Sequence, residues 1–407
     1  MSCIEPQLLK KLSPLVFIFL TILINRIGIS ILFPVLPFLI AEFRSDALTL
    51  GLLTSSFAIA QFLATPAIGA LSDRYGRRPV MLICVLGSAI SYFMFGWAGA
   101  LWVMFLSRII DGITGGVAAT AQAYIADTSA PGERSKNFGL TGVAFGLGFV
   151  LGPALGGALA GIDLRLPVFF AGTLALIDVI LGYFTLPESL SPEKRRKCHL
   201  QDLNPFNQIT DLLQNEKIRG LLWATFLFNF AFSGFTSIFV LFLSDRFGFQ
   251  ASSAALVFVF IGVVSTVVQG GLIRKLIPRY GEAKLTIAGF ITLAIGFGLI
   301  VLIPANSVLF YPTLYASQGL LSLGVGLLLP CLRGLISNRV SDREQGRTIG
   351  SAQGIQSIAT ILGPLWAGWS FDHLGAIFPF CFGTVFILLA LVCTLVNLRH
   401  AHPEAAI

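Results

Sequence analysis

Apolar stretches of 20 residues or more alternate along this chain with short polar segments. A helix needs about 20 mainly apolar residues to cross about 30 Å of hydrocarbon. On that scale the pattern predicts an all-α membrane protein with twelve transmembrane helices. The predicted spans are 14–41, 50–71, 80–99, 101–126, 139–161, 166–187, 219–244, 252–273, 284–303, 309–337, 348–370 and 375–398.

The composition excludes the main soluble classes of protein. Of the 407 residues, 55% are hydrophobic and only 12% are charged, against about 25% in a typical soluble chain. So few charges cannot cover the surfaces of soluble domains, which argues against a soluble enzyme or a disordered chain. The net charge of +7 does not indicate nucleic-acid binding, because its distribution follows the membrane topology.

The positions of Lys and Arg predict the orientation in the membrane. With both termini in the cytoplasm, the cytoplasmic segments hold 21 of the 27 Lys and Arg residues, the outer segments hold 3, and 3 lie within spans. Basic residues are concentrated in cytoplasmic loops in membrane proteins. The first span carries Asn25 and Arg26 and lacks a small-residue cleavage site, so it should remain in the mature protein.

An internal repeat divides the chain into two halves. The polar stretch 188–217 follows the sixth span, and the sequence predicts bundles at 1–187 and 219–407 joined by a cytoplasmic linker at 188–218. Parallel repeats of this kind occur in secondary transporters, with a binding site near the bilayer midplane at their interface. Gly139, Gly152, Pro153 and Gly157 recur as Gly350, Gly363, Pro364 and Gly368 at an offset of 211, and Asn25 matches Asn229 more weakly at 204.

The loop after the second span combines an acid with several arginines. It reads Gly69-Ala-Leu-Ser-Asp73-Arg74-Tyr-Gly76-Arg77-Arg78-Pro79. Glycine permits close backbone approach, and proline suits the first turn of the third helix. Here the chain resembles the major facilitator superfamily, and within it the twelve-span drug:proton antiporters that include tetracycline-efflux-like proteins.

The resemblance implies a role for these charges. They would form a latch between cytoplasmic helix ends, together with Asp127 at the end of the fourth span. The alternative is that they only anchor a loop. The second copy, from Gly271 to Gly281, lacks the acid, so the latch should be asymmetric. The family also implies a multi-pass protein of the plasma (cell inner) membrane.

A glycine-rich motif in the fifth span adds a second point of resemblance. It reads Gly148-Phe-Val-Leu-Gly152-Pro153-Ala-Leu-Gly156-Gly157, and in this family such a motif marks exporters more than importers. Small residues four apart let helices pack closely, and proline removes one helix hydrogen bond. Close packing alone would explain the glycines, whereas the repeat at Gly363-Pro364 favours a rocking function shared by both halves.

Polar residues within spans are the candidates for the mechanism. Each mid-membrane charge costs about 2.5–3.5 kcal/mol on insertion scales, so it should face a partner or water. Arg108 and Asp111 are three residues apart and share a helix face. They form either a permanent structural pair or a titratable pair in the cavity. The resemblance implicates Arg108 in proton coupling. The predicted cavity residues are Asn25, Arg26, Gln61, Arg108, Asp111, Asn229 and Arg333.

Several of these positions leave alternatives open. Arg26 has no acid one turn away on its own helix, so its partner must come from another helix, a substrate or water. Arg333 lies near a span end and could instead reach the interface. For Asp178, on the sixth span, a structural hydrogen bond is the main expectation. The phenylalanines around Asn229 either pack the core or form a drug cage: Phe226, Phe228, Phe230, Phe232 and Phe235.

The chain departs from tetracycline exporters at three acidic positions. Those proteins carry intramembrane acids in the first, third and ninth spans, where this chain has Asn25, Ser91 and Leu293. Tetracycline is therefore a doubtful substrate. Arg26 and Asp111 are additions that would suit an anionic or zwitterionic solute.

These observations predict a secondary transporter, namely a proton-coupled exporter of small, partly apolar compounds that works by alternating access. A metabolite or organic-anion facilitator, or a non-transporting assembly or receptor protein of the same fold, are the alternatives. The expected partners are a small-molecule substrate, protons and lipid, with no nucleic acid, and the protein is expected to be a monomer. The six cysteines show no spacing for a disulfide or zinc site, so we expect no metal, no cofactor and no enzyme activity.

Overall fold

A computed structural model describes residues 14–130, 133–195, 216–304, 307–340 and 345–401. Within those ranges the regular secondary structure is entirely helical. In the first part of the chain the helices are α1 (Pro14–Ile31), α2 (Leu36–Ala41), α3 (Ala47–Tyr75), α4 (Arg77–Gly96), α5 (Leu101–Ile113), α6 (Val117–Thr128), α7 (Arg134–Ala160) and α8 (Leu166–Thr185). A short 3-10 turn follows at Pro192–Lys194.

The second part of the chain repeats this helical pattern. Its helices are α9 (Glu216–Phe247), α10 (Ala251–Val267), α11 (Ile273–Val301), α12 (Phe310–Ser337), α13 (Gln345–Leu374) and α14 (Phe378–Ala401), with a π-helical turn at Val268–Leu272 between α10 and α11. At Gly281 the backbone leaves the helical conformation, with φ 76° and ψ 159°. The chain bends there, and α11 is two helices rather than one.

Ten of the described helical segments are long and apolar enough to cross a membrane. One of them, Ala251–Val301, contains 51 residues and includes the bend at Gly281, so it corresponds to the predicted eighth and ninth spans together. Helix α13 has sufficient length at 30 residues but is rich in small and polar residues. It corresponds to the predicted eleventh span.

Two predicted spans are interrupted. The first, predicted as continuous over 14–41, consists of α1 and α2 separated by turns, with bonds from the Phe33 N–H to the Ser30 carbonyl and from the Val35 N–H to the Leu32 carbonyl. Pro34 lies in this break and has no N–H for a helix bond. The fourth, predicted as continuous over 101–126, is broken between α5 and α6 at residues 114–116, where two consecutive glycines weaken the helix.

The chain divides into two compact units. Unit 1 comprises Met1–Val35 and Ile59–Asn204, and unit 2 comprises Leu36–Ala58 and Pro205–Ile407. Helix α3 therefore contributes its first twelve residues, 47–58, to unit 2 and the remainder to unit 1.

The two units repeat one helix contact in detail. In unit 1 the Ser30 hydroxyl of α1 donates to the Gly148 carbonyl of α7 at 2.8 Å. In unit 2 the Ser233 hydroxyl of α9 donates to the Ala359 carbonyl of α13 at 3.3 Å. The acceptors are 211 residues apart, which is the offset of the sequence repeat. The donors are 203 apart, so Asn229 corresponds to Arg26 in this register, and the expected match with Asn25 is wrong by one residue.

In unit 2 two carboxylates hold the first turn of α3. Asp372, near the end of α13, accepts hydrogen bonds from the N–H groups of Ala47 and Leu48 at 2.9 and 2.8 Å. Asp46 accepts from the Thr49 N–H and hydroxyl at 2.9 and 2.6 Å. Partial burial raises the pKa of Asp46, but the bonds from Thr49 and the nearby Arg44 outweigh it, so this pKa lies below its ordinary value.

Candidate functional site

A buried ion pair lies immediately before the break between α5 and α6. Arg108 Nη2 is 3.2 Å from Asp111 Oδ2, and the two residues are only 6% and 3% exposed. The three-residue spacing places both on one face of α5, as expected. Asp111 lies two residues before the end of α5, so the interrupted helix presents this pair beside backbone groups that lack regular helix partners.

Helix α4 contributes two polar side chains to this pair. The Ser88 hydroxyl lies beside the Asp111 carboxyl. The ring of Tyr92 lies 5.7 Å from the Arg108 guanidinium carbon, and its hydroxyl is buried without a described hydrogen-bond partner. Tyr92 is within electrostatic range of Arg26 as well as of Arg108 and Asp111. It therefore connects the first, third and fourth predicted spans.

Arg26 contacts an aromatic ring of the neighbouring helix. Its guanidinium carbon lies 3.6 Å from the centre of the Phe145 ring on α7, which is a cation–π geometry. Its Nε atom is buried and forms no hydrogen bond with any described residue. Among the described residues no carboxylate forms an ion pair with Arg26. The contact with this neighbouring helix is therefore made by a ring, which does not neutralise the positive charge of Arg26.

A small cavity inside unit 1 has room for about one water molecule. Asp178 of α8 reaches it, at 2% exposure, and accepts a hydrogen bond from the Thr21 hydroxyl at 3.0 Å. This is the structural bond expected for Asp178. The cavity is lined by Thr21, Ile24, Asn25, Val85, Ser88, Tyr92, Ala175 and Asp178.

The remaining predicted cavity residues lie elsewhere in the two units. Gln61 of α3 donates to the Gly115 carbonyl at 3.2 Å, next to the break after α5. Asn229 is buried and donates back to the Thr225 carbonyl of its own helix at 2.7 Å. Arg333 is exposed on α12.

Two rings of the phenylalanine stripe on α9 are buried within unit 2. Phe228 and Phe235 are 1% and 4% exposed. The Phe235 ring makes contacts of 4.8–6.3 Å, centre to centre, with Phe239, Phe297 and Phe380. Core packing accounts for Phe228 and Phe235.

The three positions at which the chain lacks an expected acid have different surroundings. The Ser91 hydroxyl donates to the Ser107 carbonyl at 2.8 Å and joins α4 to α5. Leu293 is fully buried in the core of unit 2. Asn25 faces the small cavity of unit 1.

The predicted latch residues meet at one end of unit 1. Arg77 lies 2.5 Å from Asp73 and 3.0 Å from Asp127. Arg78 donates to the Tyr183 carbonyl at 2.5 Å, whereas Arg74 is exposed and lies over the ring of its neighbour Tyr75. The ends of the second, third, fourth and sixth predicted spans are therefore joined.

Glu188, at the first position of the predicted linker, also belongs to the latch. Its carboxylate accepts from the N–H groups of Arg77 and Arg78 at 2.8 and 3.2 Å, and so holds the first turn of α4. A side chain at Gly76 would collide with this carboxylate, and Gly76 has φ 110° and ψ 157°. The Pro187-Glu188 pair at the end of the predicted sixth span was the sequence feature that could have indicated this role. At Gly69, by contrast, an added Cβ would meet no described atom within 4 Å, so the predicted close approach there is wrong.

The second half has a different arrangement at the equivalent bend. Glu282, directly after Gly281, accepts from the Asn338 side chain at 3.0 Å. This carboxylate–amide contact stands where unit 1 has its Arg77–Asp127 ion pair. The expected asymmetry follows from these residues.

The glycine motif of α7 packs against α1. A Cβ added at Gly148, Gly152 or Gly156 would collide with atoms of Arg26, Ser30 or Ile31 respectively. Pro153 and Gly157 are buried beside them. In unit 2, Gly363 and Pro364 of α13 lie against α9 and α3: a Cβ at Gly363 would collide with Ser233, and one at Gly51 with the Pro364 carbonyl. Both motifs therefore make close helix contacts.

Tyr92, Ser88 and Thr21 were not singled out from the sequence. Ser88 and Tyr92 are four residues apart, so the polar face that they form on α4 could have indicated both residues from the sequence. Thr21 bears the same one-turn relation to Asn25 on α1.

A chain with two repeated helical units, interrupted spans and buried charges within one of the units has the features of a secondary transporter.

Comparison with known proteins identifies the family. The sequence model of the Major Facilitator Superfamily matches residues 18–311 and 275–406. The chain is 33% identical over 360 residues to tetracycline resistance protein, class C, of Escherichia coli, covering 88% of this chain and 89% of that protein. It is 29% identical over 389 residues to multidrug resistance protein 2 of Bacillus subtilis, covering 95% of each.

Solved structures agree with this fold. The human organic anion transporter MFSD10 (TETRAN) matches with a TM-score of 0.72 at 28% identity, covering 93% of this chain and 98% of that one. The nucleoside transporter NupG matches with a TM-score of 0.76 at 16% identity, covering 95% of this chain and 99% of that one. The chain therefore belongs to the major facilitator superfamily. It is a multi-pass inner-membrane protein and a secondary active transporter, not an enzyme.

Proposed function

We propose that this protein exports small, partly apolar compounds that carry a negative charge, in exchange for protons, by alternating access. The observation that carries this proposal is the buried Arg108–Asp111 pair at the break between α5 and α6, with the guanidinium of Arg26 on the adjacent α1. The relationship to tetracycline and multidrug resistance proteins supports an exporter over a facilitator or a receptor.

Asp111 binds the proton in this proposal. While Asp111 is ionised, Arg108 is held by it; once Asp111 takes up a proton, Arg108 can turn to the anionic group of a substrate. Proton and substrate therefore bind alternately, which is the requirement for antiport. The buried position keeps both charges away from bulk water and makes their pairing energetically important.

Arg26 selects the substrate. Its charge is stacked on Phe145 and paired with no described carboxylate, so an anionic substrate can neutralise it. The similarity to a protein described as an organic anion transporter supports this substrate class. Tyr92 lies near both arginines of unit 1, Asn25 faces the small cavity beside it, and Gln61 lies at the break after α5.

The latch and the packing glycines serve the conformational change. We place the Arg77, Asp73, Asp127 and Glu188 contacts at the cytoplasmic ends of the helices, where they stabilise one closed state. The bundles at 1–187 and 219–407 move as the two bodies, connected through the linker 188–218 and packed by the glycines of α7 and α13. The protein acts as a monomer in the plasma membrane, with both termini in the cytoplasm.

A transport panel on the purified, reconstituted protein tests this function. Aromatic carboxylates and their neutral methyl esters are offered to proteoliposomes with and without an imposed pH gradient. We expect the gradient to drive accumulation of the carboxylates and not of the esters. Equal transport of both classes without any effect of the gradient would contradict the proposal and indicate a facilitator.

A further inference from the structure

Unit 1 contains a second buried carboxyl that the proposed exchange does not use. Asp178 lies on α8, 2% exposed, and its hydrogen bond from Thr21 occupies one carboxyl oxygen. Among the described residues no Arg, Lys or His forms an ion pair with it. A carboxyl that only had to hold α1 against α8 could be replaced by a neutral amide, which costs less to bury.

The surroundings of Asp178 contain polar groups that lead towards Asp111. The cavity beside it has room for about one water molecule, and α4 lines that cavity with Ser88 and Tyr92. Ser88 also lies beside the Asp111 carboxyl. The Tyr92 hydroxyl is buried without a described partner, so it can bond a water in the cavity.

Few polar or charged groups surround the cavity. Helix α1 brings Thr21, Asn25 and Arg26, and the Arg26 guanidinium is stacked on Phe145 of α7. Helix α4 brings only Ser88 and Tyr92 at this level, and α7 has no ionisable residue between 137 and 160. The remaining charges are those of the Arg108–Asp111 pair on α5.

We propose that Asp178 is a second proton-binding carboxyl of this transporter, which exchanges its proton with Asp111 through water in the cavity beside Ser88 and Tyr92. In this step the Asp178 carboxylic acid gives a proton to the cavity water, and the water gives a proton to the Asp111 carboxylate. Asp178 becomes ionised and Asp111 becomes neutral. Asp178 then takes up a second proton from the outer solution, so both carboxyls are neutral before the conformational change and both release their protons to the cytoplasm after it; nothing is oxidised or reduced. The inference rests on the proposed proton-coupled function and extends it to two protons per cycle.

Infrared titration of the purified protein in lipid tests this directly. The carbonyl stretch of buried carboxylic acids is followed as the pH is changed, in wild type, Asp178→Asn, Asp111→Asn and the matched control Asp163→Asn, an exposed loop carboxylate. We expect two buried carboxyl bands that change with pH, one of them absent from Asp178→Asn and the other from Asp111→Asn. Thr21→Val should shift the Asp178 band without removing it, and Asp178→Glu should restore a titrating band. A pH-dependent spectrum of Asp178→Asn that matches wild type would overturn the proposal.

Transport thermodynamics provides a second readout. With the membrane potential clamped at zero, each coupled proton adds about tenfold accumulation per pH unit of gradient. For carboxyfluorescein as the probe, Asp178→Asn should lose about tenfold in accumulation at a one-unit gradient and still exchange dye at equal pH. Unchanged accumulation in Asp178→Asn would contradict a second proton. If wild type itself fails to accumulate the dye, the proposed function is wrong, and the infrared titration still decides whether Asp178 binds a proton.

Discussion

Arg26 places a guanidinium against an aromatic ring instead of a carboxylate. The ring of Phe145 stabilises the charge but does not neutralise it. Within a membrane-spanning segment such a charge attracts an anion. This is why we assign substrate selection to Arg26 and not to Arg333, which is exposed on α12.

Replacing Arg26 should affect anionic and neutral compounds differently. A hydrogen bond to a charged group contributes about 1.5–3 kcal/mol, so Arg26→Ala should weaken binding of an aromatic carboxylate about 10–100-fold and leave its methyl ester nearly unchanged. Arg26→Lys should retain part of the affinity. Binding is measured by titration calorimetry of the purified variants. Equal losses for acid and ester would assign Arg26 a structural role.

Gly76 illustrates a residue whose role comes from its backbone. Its φ of 110° and ψ of 157° fall in a region occupied almost only by glycine, where another residue costs about 1–3 kcal/mol. The Glu188 carboxylate also occupies the space of a Cβ. These two constraints explain why glycine occupies the bend between α3 and α4.

Substitution of Gly76 by alanine should therefore destabilise the latch. We expect Gly76→Ala to lower the thermal unfolding midpoint of the purified protein, because it adds backbone strain and displaces Glu188. Gly69→Ala is the matched control within the same motif, since Gly69 is helical and has open space around it; its midpoint should be unchanged or slightly higher. A similar midpoint in both variants would contradict this account of the bend.

At the scale of residues, the sequence predicted the charges better than their partners. The Arg108–Asp111 and Arg77–Asp127 pairs followed from one-turn spacing and from the motif. Glu188 and Tyr92 did not, because their partners are distant in the chain. A neutral side chain such as Thr21 does not stand out in an apolar span, although it donates the hydrogen bond to Asp178.

Among the helices, α3 shows how carboxylates from two places fix one helix end. The first N–H groups of a helix lack partners within the helix. Asp46 accepts a hydrogen bond from the N–H group of the third residue of α3. Asp372 of α13 accepts from the N–H groups of the first two residues. The lowered pKa of Asp46 means that its contribution is present at neutral pH and is lost only as the pH falls through that lowered value.

Removal of Asp372 should loosen the first turn of α3. A helix cap contributes about 1 kcal/mol, so Asp372→Ala should speed amide hydrogen exchange at Ala47 and Leu48 about fivefold, measured by mass spectrometry. Asp245→Ala, which removes an exposed carboxylate near the end of α9, is the control and should leave that exchange unchanged. Protection that persists in Asp372→Ala would show that packing alone orders this turn.

The limits of sequence prediction at this scale concern breaks within spans. Hydropathy averages over about 20 residues, so it gave the number and order of spans but joined α1 to α2 and α5 to α6. The glycines at 115 and 116 and the proline at 34 were visible in the sequence. Their effect depends on whether neighbouring helices satisfy the backbone groups that a break exposes, and only the fold shows that.

For the whole molecule, the repeat is the feature that the sequence predicted most fully. The offset of 211 between the glycine motifs reappears as the matching bonds of Ser30 and Ser233 to residues 148 and 359. The two units nevertheless differ in chemistry. Among the described residues, the buried charges and the ion-pair latch lie in unit 1, whereas α9 of unit 2 carries many phenylalanines. We infer that coupling resides in unit 1.

The most direct test of this account is transport by Asp111→Asn in proteoliposomes. We expect this variant to lose accumulation of an aromatic carboxylate driven by a pH gradient and to retain exchange of that compound at equal pH on both sides. Removing one member of a buried pair costs about 3–5 kcal/mol of stability, so the double variant Arg108→Gln with Asp111→Asn serves as the folding control and should also lack accumulation. Full uphill transport by correctly folded Asp111→Asn would contradict the central claim that this carboxyl couples proton movement to export.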